Sequence, residues 1–116
     1  MARSNDRTDL VQGTLDMLVL RTLRGGTLHG YAIANKIQEQ SEGFLRVEEG
    51  SLYPALHRME RRGWIAAEWG LSDTRRKAKY YELTDAGREQ LKAKAKTWKL
   101  LVGAIAGVMG TRTAKA

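Results

Sequence analysis

The sequence predicts a mainly α-helical fold with one small β-hairpin. Three observations carry that reading: three stretches repeat their apolar residues at helical spacing, two short segments then alternate at period two, and a long final stretch returns to helical spacing. The chain has 116 residues and no cysteine. That length suits one domain, able to bury roughly two-thirds of its unfolded surface without disulfide or metal staples.

From Thr14 to Arg24, Leu15, Leu18, Val19 and Leu23 form the apolar stripe of a first helix, which Gly25 and Gly26 terminate. A second helix presents Ile33, Ala34 and Ile37 with Tyr31 beside them, and Glu42-Gly43 closes it as a left-handed cap would. Few residues separate the two helices, so they pack at an angle. In the third, EEGSLYPALHRMERRG (48–63), Leu52, Ala55, Leu56 and Met59 follow the i, i+3, i+4, i+7 pattern of a core face. Gly50, Pro54, His57 and Arg61 point the opposite way, flanked by Ser51, Tyr53 and Arg58. Pro54 lacks an amide hydrogen, a loss best tolerated near a helix start, so the first turn falls at or just before Gly50 or the helix is locally distorted; Gly63 ends it.

WIAAEW (64–69) and AKYYEL (78–83) then read as a β-hairpin whose polar connection, GLSDTRRK, carries a basic tip. Two short strands cannot stand alone, so the helices must back them. Thr84 and Asp85 supply an N-cap and a first-turn carboxylate for a last helix running to about Met109. Within it Leu91, Ala95, Trp98, Val102, Ile105 and Met109 are spaced 4, 3, 4, 3, 4, a heptad seam. A helix of some 25 residues reaches about 37 Å, too long for its whole seam to lie on so small a core. The seam docks on the first helix alone, or also on a second copy of the chain, which makes these six residues the expected dimer interface. The expected organisation is a loose N-terminus (1–9), a unit of three helices and a hairpin (10–83), a C-terminal dimerisation helix (84–109) and a loose tail (110–116).

Twenty Lys and Arg against thirteen Asp and Glu leave a formal charge of +7. Such an excess points to a polyanionic partner, nucleic acid or an anionic surface. With two histidines and no cysteine, neither a thiolate nor a His-rich metal site is available, and no cofactor is expected. The start MARSNDRTDL lacks the apolar core of a signal peptide, and LLVGAIAGVMG (100–110) falls well short of the roughly 20 residues that span a bilayer. A soluble cytoplasmic protein without a membrane partner is the expectation.

Helix, helix, helix, hairpin, with cations on the third helix and at the hairpin tip, is the order of a winged helix-turn-helix. A helix entering the major groove needs small residues near the phosphate backbone and hydrogen-bonding or cationic ones near base edges. Gly50 and Ser51 are small and lie at the positive end of the helix dipole, with Pro54 on the same side. Tyr53 suits a phosphate or a sugar; His57, Arg58 and Arg61 suit base edges or backbone. Arg75, Arg76, Lys77 and Lys79, against a single Asp73, make the wing tip a dense positive site for the backbone or the minor groove. The rival use of this face is contact with an acidic protein partner. An enzyme is not expected: Ser51 and His57 stand about 9 Å apart along one helix, too far for a nucleophile and its base, and no Gly-rich phosphate loop is readable.

LVQGTLDMLVLRTL, LHGYAIANKI, EGSLYPALHRMERRGWI and RRKAKYYELTDAGREQL, in this order and spacing, closely resemble the PadR family of bacterial transcriptional regulators, in its short subgroup with a single C-terminal helix. The likeness covers roughly residues 10–109. It is most specific at His29-Gly30-Tyr31, at Gly50-Ser51-Leu52-Tyr53-Pro54-Ala55-Leu56 with Glu60, and at Tyr80-Tyr81-Glu82-Leu83-Thr84 with Gly87. The resemblance implies a homodimeric repressor that binds a palindromic operator in double-stranded DNA and lets go when a small molecule binds. It places Ser51 and Tyr53 near the DNA backbone, with Arg75 to Lys79 flanking them. In some relatives paired tryptophans of the C-terminal helices line a pore at the dimer centre, where small planar aromatic effectors stack. Trp98 matches that position, with Leu15 and Val102 beside it, although a Trp on a seam serves equally as plain dimer core. His29-Gly30-Tyr31 carries no chemical role legible in the sequence; Gly30 is expected to permit close packing at the start of the second helix, and Tyr31 to support the core or reach a phosphate.

Overall fold

Apolar faces of the helices and the inner face of a small sheet close on one core. In the computed structural model, which describes residues 14–111, the order is α1 (14–23), β1 (Leu28–His29), α2 (Gly30–Gln40), α3 (Glu49–Arg61), β2 (Ile65–Leu71), β3 (Lys77–Leu83) and α4 (Asp85–Met109). The loose N-terminus expected at 1–9 and the tail beyond 111 lie outside the described residues.

α1 contributes Leu15, Val19, Leu20 and Leu23 to the core. Leu20 is wholly buried although it lay outside the expected stripe, while Leu18 is only half-buried against the cluster's edge. Arg24 donates its amide to the Leu20 carbonyl before the chain unwinds through Gly25 and Gly26. α2 buries Ile33 and Ile37 and ends as its sequence foretells: Glu42 and Gly43 both take positive φ, 54° and 82°, and the Gly43 amide closes on the Gln38 carbonyl. α3 starts at Glu49, one residue before Gly50, and buries Leu52, Ala55, Leu56 and Met59. Pro54 lies inside the helix on its exposed side and has no amide hydrogen to give the Gly50 carbonyl. Gly63, at φ 79°, turns the chain out of α3.

The sheet differs from the two-stranded hairpin expected. It has three antiparallel strands in the order β1-β3-β2, with Leu28 opposite Tyr81 and His29 opposite Tyr80. The link between α1 and α2 is drawn across the edge of β3, which would otherwise stay unpaired. β2 and β3 also run further than read, from Ile65 opposite Leu83 out to Leu71 opposite Lys77. The wing loop is therefore 72–76, closed by the Ser72 amide on the Arg76 carbonyl and the Arg75 amide on the Ser72 carbonyl, with Arg75 at φ 63°.

Thr84 caps α4 by accepting the Gly87 amide at 3.0 Å, and its hydroxyl is directed at the Gly63 and Trp64 carbonyls, 2.6 and 2.9 Å away. The first turn of α4 lies flush against the start of β2: a Cβ on Gly87 would stand 2.0 Å from the Trp64 carbonyl oxygen and 2.9 Å from Leu83 Cδ1. Leu91 is 6 % exposed and belongs to the chain's own core, so it is unavailable to the seam as read. Beyond Leu91 no residue of α4 is buried. Replacing Gly87 by Ala should cost roughly 3 kcal/mol, since only backbone movement relieves the contact. Urea unfolding of Gly87→Ala against the wild type checks this, and an unchanged midpoint would show that the turn is slack.

Candidate nucleic-acid interface

With its apolar side buried, α3 turns Gly50, Pro54, His57 and Arg61 to solvent, as its periodicity requires. The hairpin rises beside it, and between them lies an open groove of about 960 Å³. His29, Gly30, Tyr31, Tyr53 and His57 line its helical side, and Trp69, Arg76, Lys77 and Lys79 its hairpin side. Of the expected contact residues, Tyr53, His57, Arg76, Lys77 and Lys79 thus meet in one groove. Gly50, Ser51, Pro54, Arg58, Arg61 and Arg75 lie beyond its lining, on the same helix or at the tip of the same loop.

Two of the cations are engaged within the protein. Arg58 Nη2 is 2.5 Å from Asp16 Oδ1, tying α3 to α1, and Lys79 Nζ is 3.2 Å from Glu60 Oε1, tying the wing to α3. The Lys79 ammonium also stands 5.8 Å from the Tyr81 ring. Among the described residues, Arg61, Arg75, Arg76 and Lys77 have no carboxylate partner. They form the open part of the positive surface. The positive end of α3 is less inviting to an anion than its sequence suggests. Its N-cap, Glu48, makes no side-chain cap, the Ser51 amide already donates to the Glu48 carbonyl, and the Glu48 and Glu49 carboxylates flank the turn.

The structure gives His29 a role not read from the sequence and shows what packs on Gly30, where a close approach was expected. His29 Nδ1 accepts the Ala32 amide at 3.2 Å and caps α2, which leaves the proton of the neutral ring on Nε2. The same ring meets Tyr80 of β3 edge-on at 5.4 Å and lies nearly parallel to Tyr31 at 6.4 Å. Tyr31, expected at the core or on a phosphate, is 67 % exposed at the rim of the groove. Gly30 is the seat of the Tyr53 ring: a Cβ there would lie 2.9 Å from both Tyr53 Cε1 and Oη. Two of the three most specific motifs therefore meet in one contact. Tyr81, below them, is buried; burial first, then the Glu60 carboxylate and Tyr53, push its phenol above the usual 10.0. It stays protonated at neutral pH.

At the other end, Thr14 and Met17 of α1 and Ala93, Lys94, Thr97, Trp98 and Leu101 of α4 enclose a shallow concavity of about 320 Å³. Trp98 lines it. Leu15 does not, being fully buried in the core, and Val102 lies on the neighbouring side of α4. Along the seam Ala95 is exposed, and exposure then rises from 40 % at Trp98 through Val102 and Ile105 to 68 % at Met109. Among the described residues no cluster of His, Asp or Glu is placed to hold a metal ion, and no helix is long and apolar enough to cross a membrane.

Sequence reasoning passed over Asp16, the pairing role of Glu60, and Trp69. Asp16 sits on α1 42 positions from its partner, a separation that no local pattern reports. Trp69 was legible as an alternating strand residue, but the end of the helical layer beneath it was not. For the motif contact, Gly30→Ala should cost about 1–2 kcal/mol by displacing the Tyr53 ring. In a double-mutant cycle Gly30→Ala should be nearly harmless in a Tyr53→Ala background, whereas strict additivity of the two unfolding energies would deny the contact.

The pattern that defines the transcriptional regulator PadR-like family matches residues 19–93. A PadR-family transcriptional regulator of Eggerthella lenta superposes with a TM-score of 0.77 at 31% identity, covering 94% of this chain and 93% of that one. A transcriptional regulator of Clostridium thermocellum gives 0.78 at 29% identity, covering 85% and 96%. The negative transcriptional regulator PadR of Bacillus subtilis is 31% identical over 77 residues, which are 66% of this chain and 42% of that protein. Solved in complex with operator DNA, that PadR gives a TM-score of 0.62 at 30% identity over 69% of this chain and 44% of its own. This chain thus spans less than half of the Bacillus protein's length. With the family pattern matched from α1 into α4 and the winged-helix fold shared throughout, the chain belongs to the PadR-like family of transcriptional regulators.

Proposed function

We propose that this protein is a homodimeric transcriptional repressor that binds a palindromic operator in double-stranded DNA and releases it when a small planar aromatic effector binds. One observation carries the DNA reading: Tyr53 and His57 of α3 and the wing cations Arg76 and Lys77, which have no carboxylate partner among the described residues, line the same groove, with Arg75 next to them on the loop. α3 enters the major groove, where His57 and Arg61 reach base edges or backbone while Gly50, Ser51, Tyr53 and Pro54 face the phosphates. Arg58 and Lys79, held by Asp16 and Glu60, add positive potential and fix the helix and the wing to one another. The Bacillus relative solved on operator DNA supports this reading.

The exposed apolar side of α4 supports the dimer. Ala95, Trp98, Val102, Ile105 and Met109 remain uncovered in one chain, and a second α4 covers them. Such a dimer sets the two α3 helices about one DNA turn apart, roughly 34 Å, so only a matching palindrome satisfies both. An effector held beside Trp98 alters that separation, provided it binds the DNA-free state more tightly than the bound one.

DNA affinity should fall steeply with salt, with a log–log slope near −0.9 per phosphate neutralised. Arg61→Ala should weaken binding to the promoter of the protein's own gene and leave the melting temperature nearly unchanged. A flat salt titration removes the DNA reading, and collapse of the Arg61→Ala fold makes that arginine structural. Val102→Asp puts a charge into the seam and should give monomers in sizing experiments. An intact dimer would place the interface elsewhere.

A further inference from the structure

We propose that Trp69 is a DNA-contact residue, packing its indole against the sugars of the strand whose phosphates meet the wing cations. This rests on the DNA-binding reading above and adds to it an apolar contact that neither the charge pattern nor the third helix supplies.

Trp69 stands on the inner face of the hairpin. Alternation puts it on the same side as Ile65 and Ala67 of β2, opposite Lys79 and in line with Tyr81 and Leu83 of β3. Near the helices that face is core: Ile65, Tyr81 and Leu83 are buried. The helical layer ends before Trp69, whose indole is 61 % exposed in the groove facing His57 and Tyr53. Lys77 lies 5.7 Å from the ring centroid and covers one part of it, while Lys79, directly across the ladder, carries its ammonium to Glu60.

That neighbourhood selects the partner. Lys77, which has no carboxylate partner among the described residues, sets an open cation against an exposed apolar ring. A DNA strand presents the apolar edge of a deoxyribose beside each phosphate, and an indole next to an open ammonium group matches that pairing of apolar wall and anion. Arg76 and Arg75 at the loop extend the positive track, and Asp73 is the one carboxylate on the loop. The contact is ordered beforehand, because the ladder holds Trp69 against β3 and the Ser72 turn closes the hairpin beyond it, so binding costs little further ordering.

The test is a titration of a fluorescein-labelled random-sequence duplex, followed by anisotropy at several salt concentrations, with the wild type, Trp69→Ala, Trp69→Phe and Arg76→Ala. Trp69→Ala should lose about tenfold in affinity at every salt, the loss of one buried aromatic contact, with the salt slope and melting temperature unchanged. Trp69→Phe should recover most of the loss. Arg76→Ala should instead flatten the slope by about one phosphate. Undiminished affinity in Trp69→Ala overturns the proposal and assigns the indole to a protein partner. A flattened slope in Trp69→Ala also overturns it, since the ring would then act only by placing Lys77. If the wild type binds no duplex, the DNA reading itself fails and takes this contact with it, an outcome distinct from loss of the Trp69 contact alone.

Discussion

Burial of Leu52, Ala55, Leu56 and Met59 sets the rotation of α3 about its own axis, and every outward-facing group on that helix depends on it. All four are at most 1 % exposed. Turning the helix by one residue, about 100°, would bring Tyr53 or Arg58 inward and carry apolar side chains out. Each large apolar side chain so buried contributes roughly 1.5–3 kcal/mol, which no surface ion pair on the helix approaches. Gly50, Pro54, His57 and Arg61 are presented to solvent because their opposites are committed to the core.

Rotation alone does not place the helix relative to the wing; three lateral ties do. Arg58 reaches Asp16 on α1, Glu60 reaches Lys79 on β3, and Tyr53 rests on Gly30 at the start of α2. His29 joins the last of these to the sheet through Tyr80 while capping α2. Residues that look like DNA contacts when taken singly therefore divide into two groups. Arg58 and Lys79 hold the frame, whereas Arg61, Arg75, Arg76 and Lys77 leave their charge open.

α4 joins this frame at one end only. The Thr84 cap, the close seat of Gly87 on Trp64 and the burial of Leu91 anchor its first turns. Arg62 and Lys94 lie 5.2 and 5.3 Å from the Trp64 ring centroid and add a cationic clasp at the same junction. Past that point the helix runs free of its own core with its apolar side open. Any change of angle at this anchored end would be amplified along its length.

The sequence by itself determined the four main helices, the hairpin, the split of α3 into a buried and an exposed side, and an α4 seam longer than one core can cover. These are periodic properties, written locally in spacing, Gly and Pro placement and caps such as Thr84. Tertiary structure decided the rest. β1 is two residues long and has no period of its own; it exists because β3 offers an open edge. Leu15 and Leu91 went to the core, away from the effector and dimer roles read for them, because depth depends on where neighbouring elements end. The pairings Arg58–Asp16, Lys79–Glu60 and Gly30–Tyr53 join residues far apart along the chain, and Trp69 is exposed because the helices stop short of it. Spacing reports which side of an element a residue occupies, and only packing in three dimensions determines what, if anything, lies against that side.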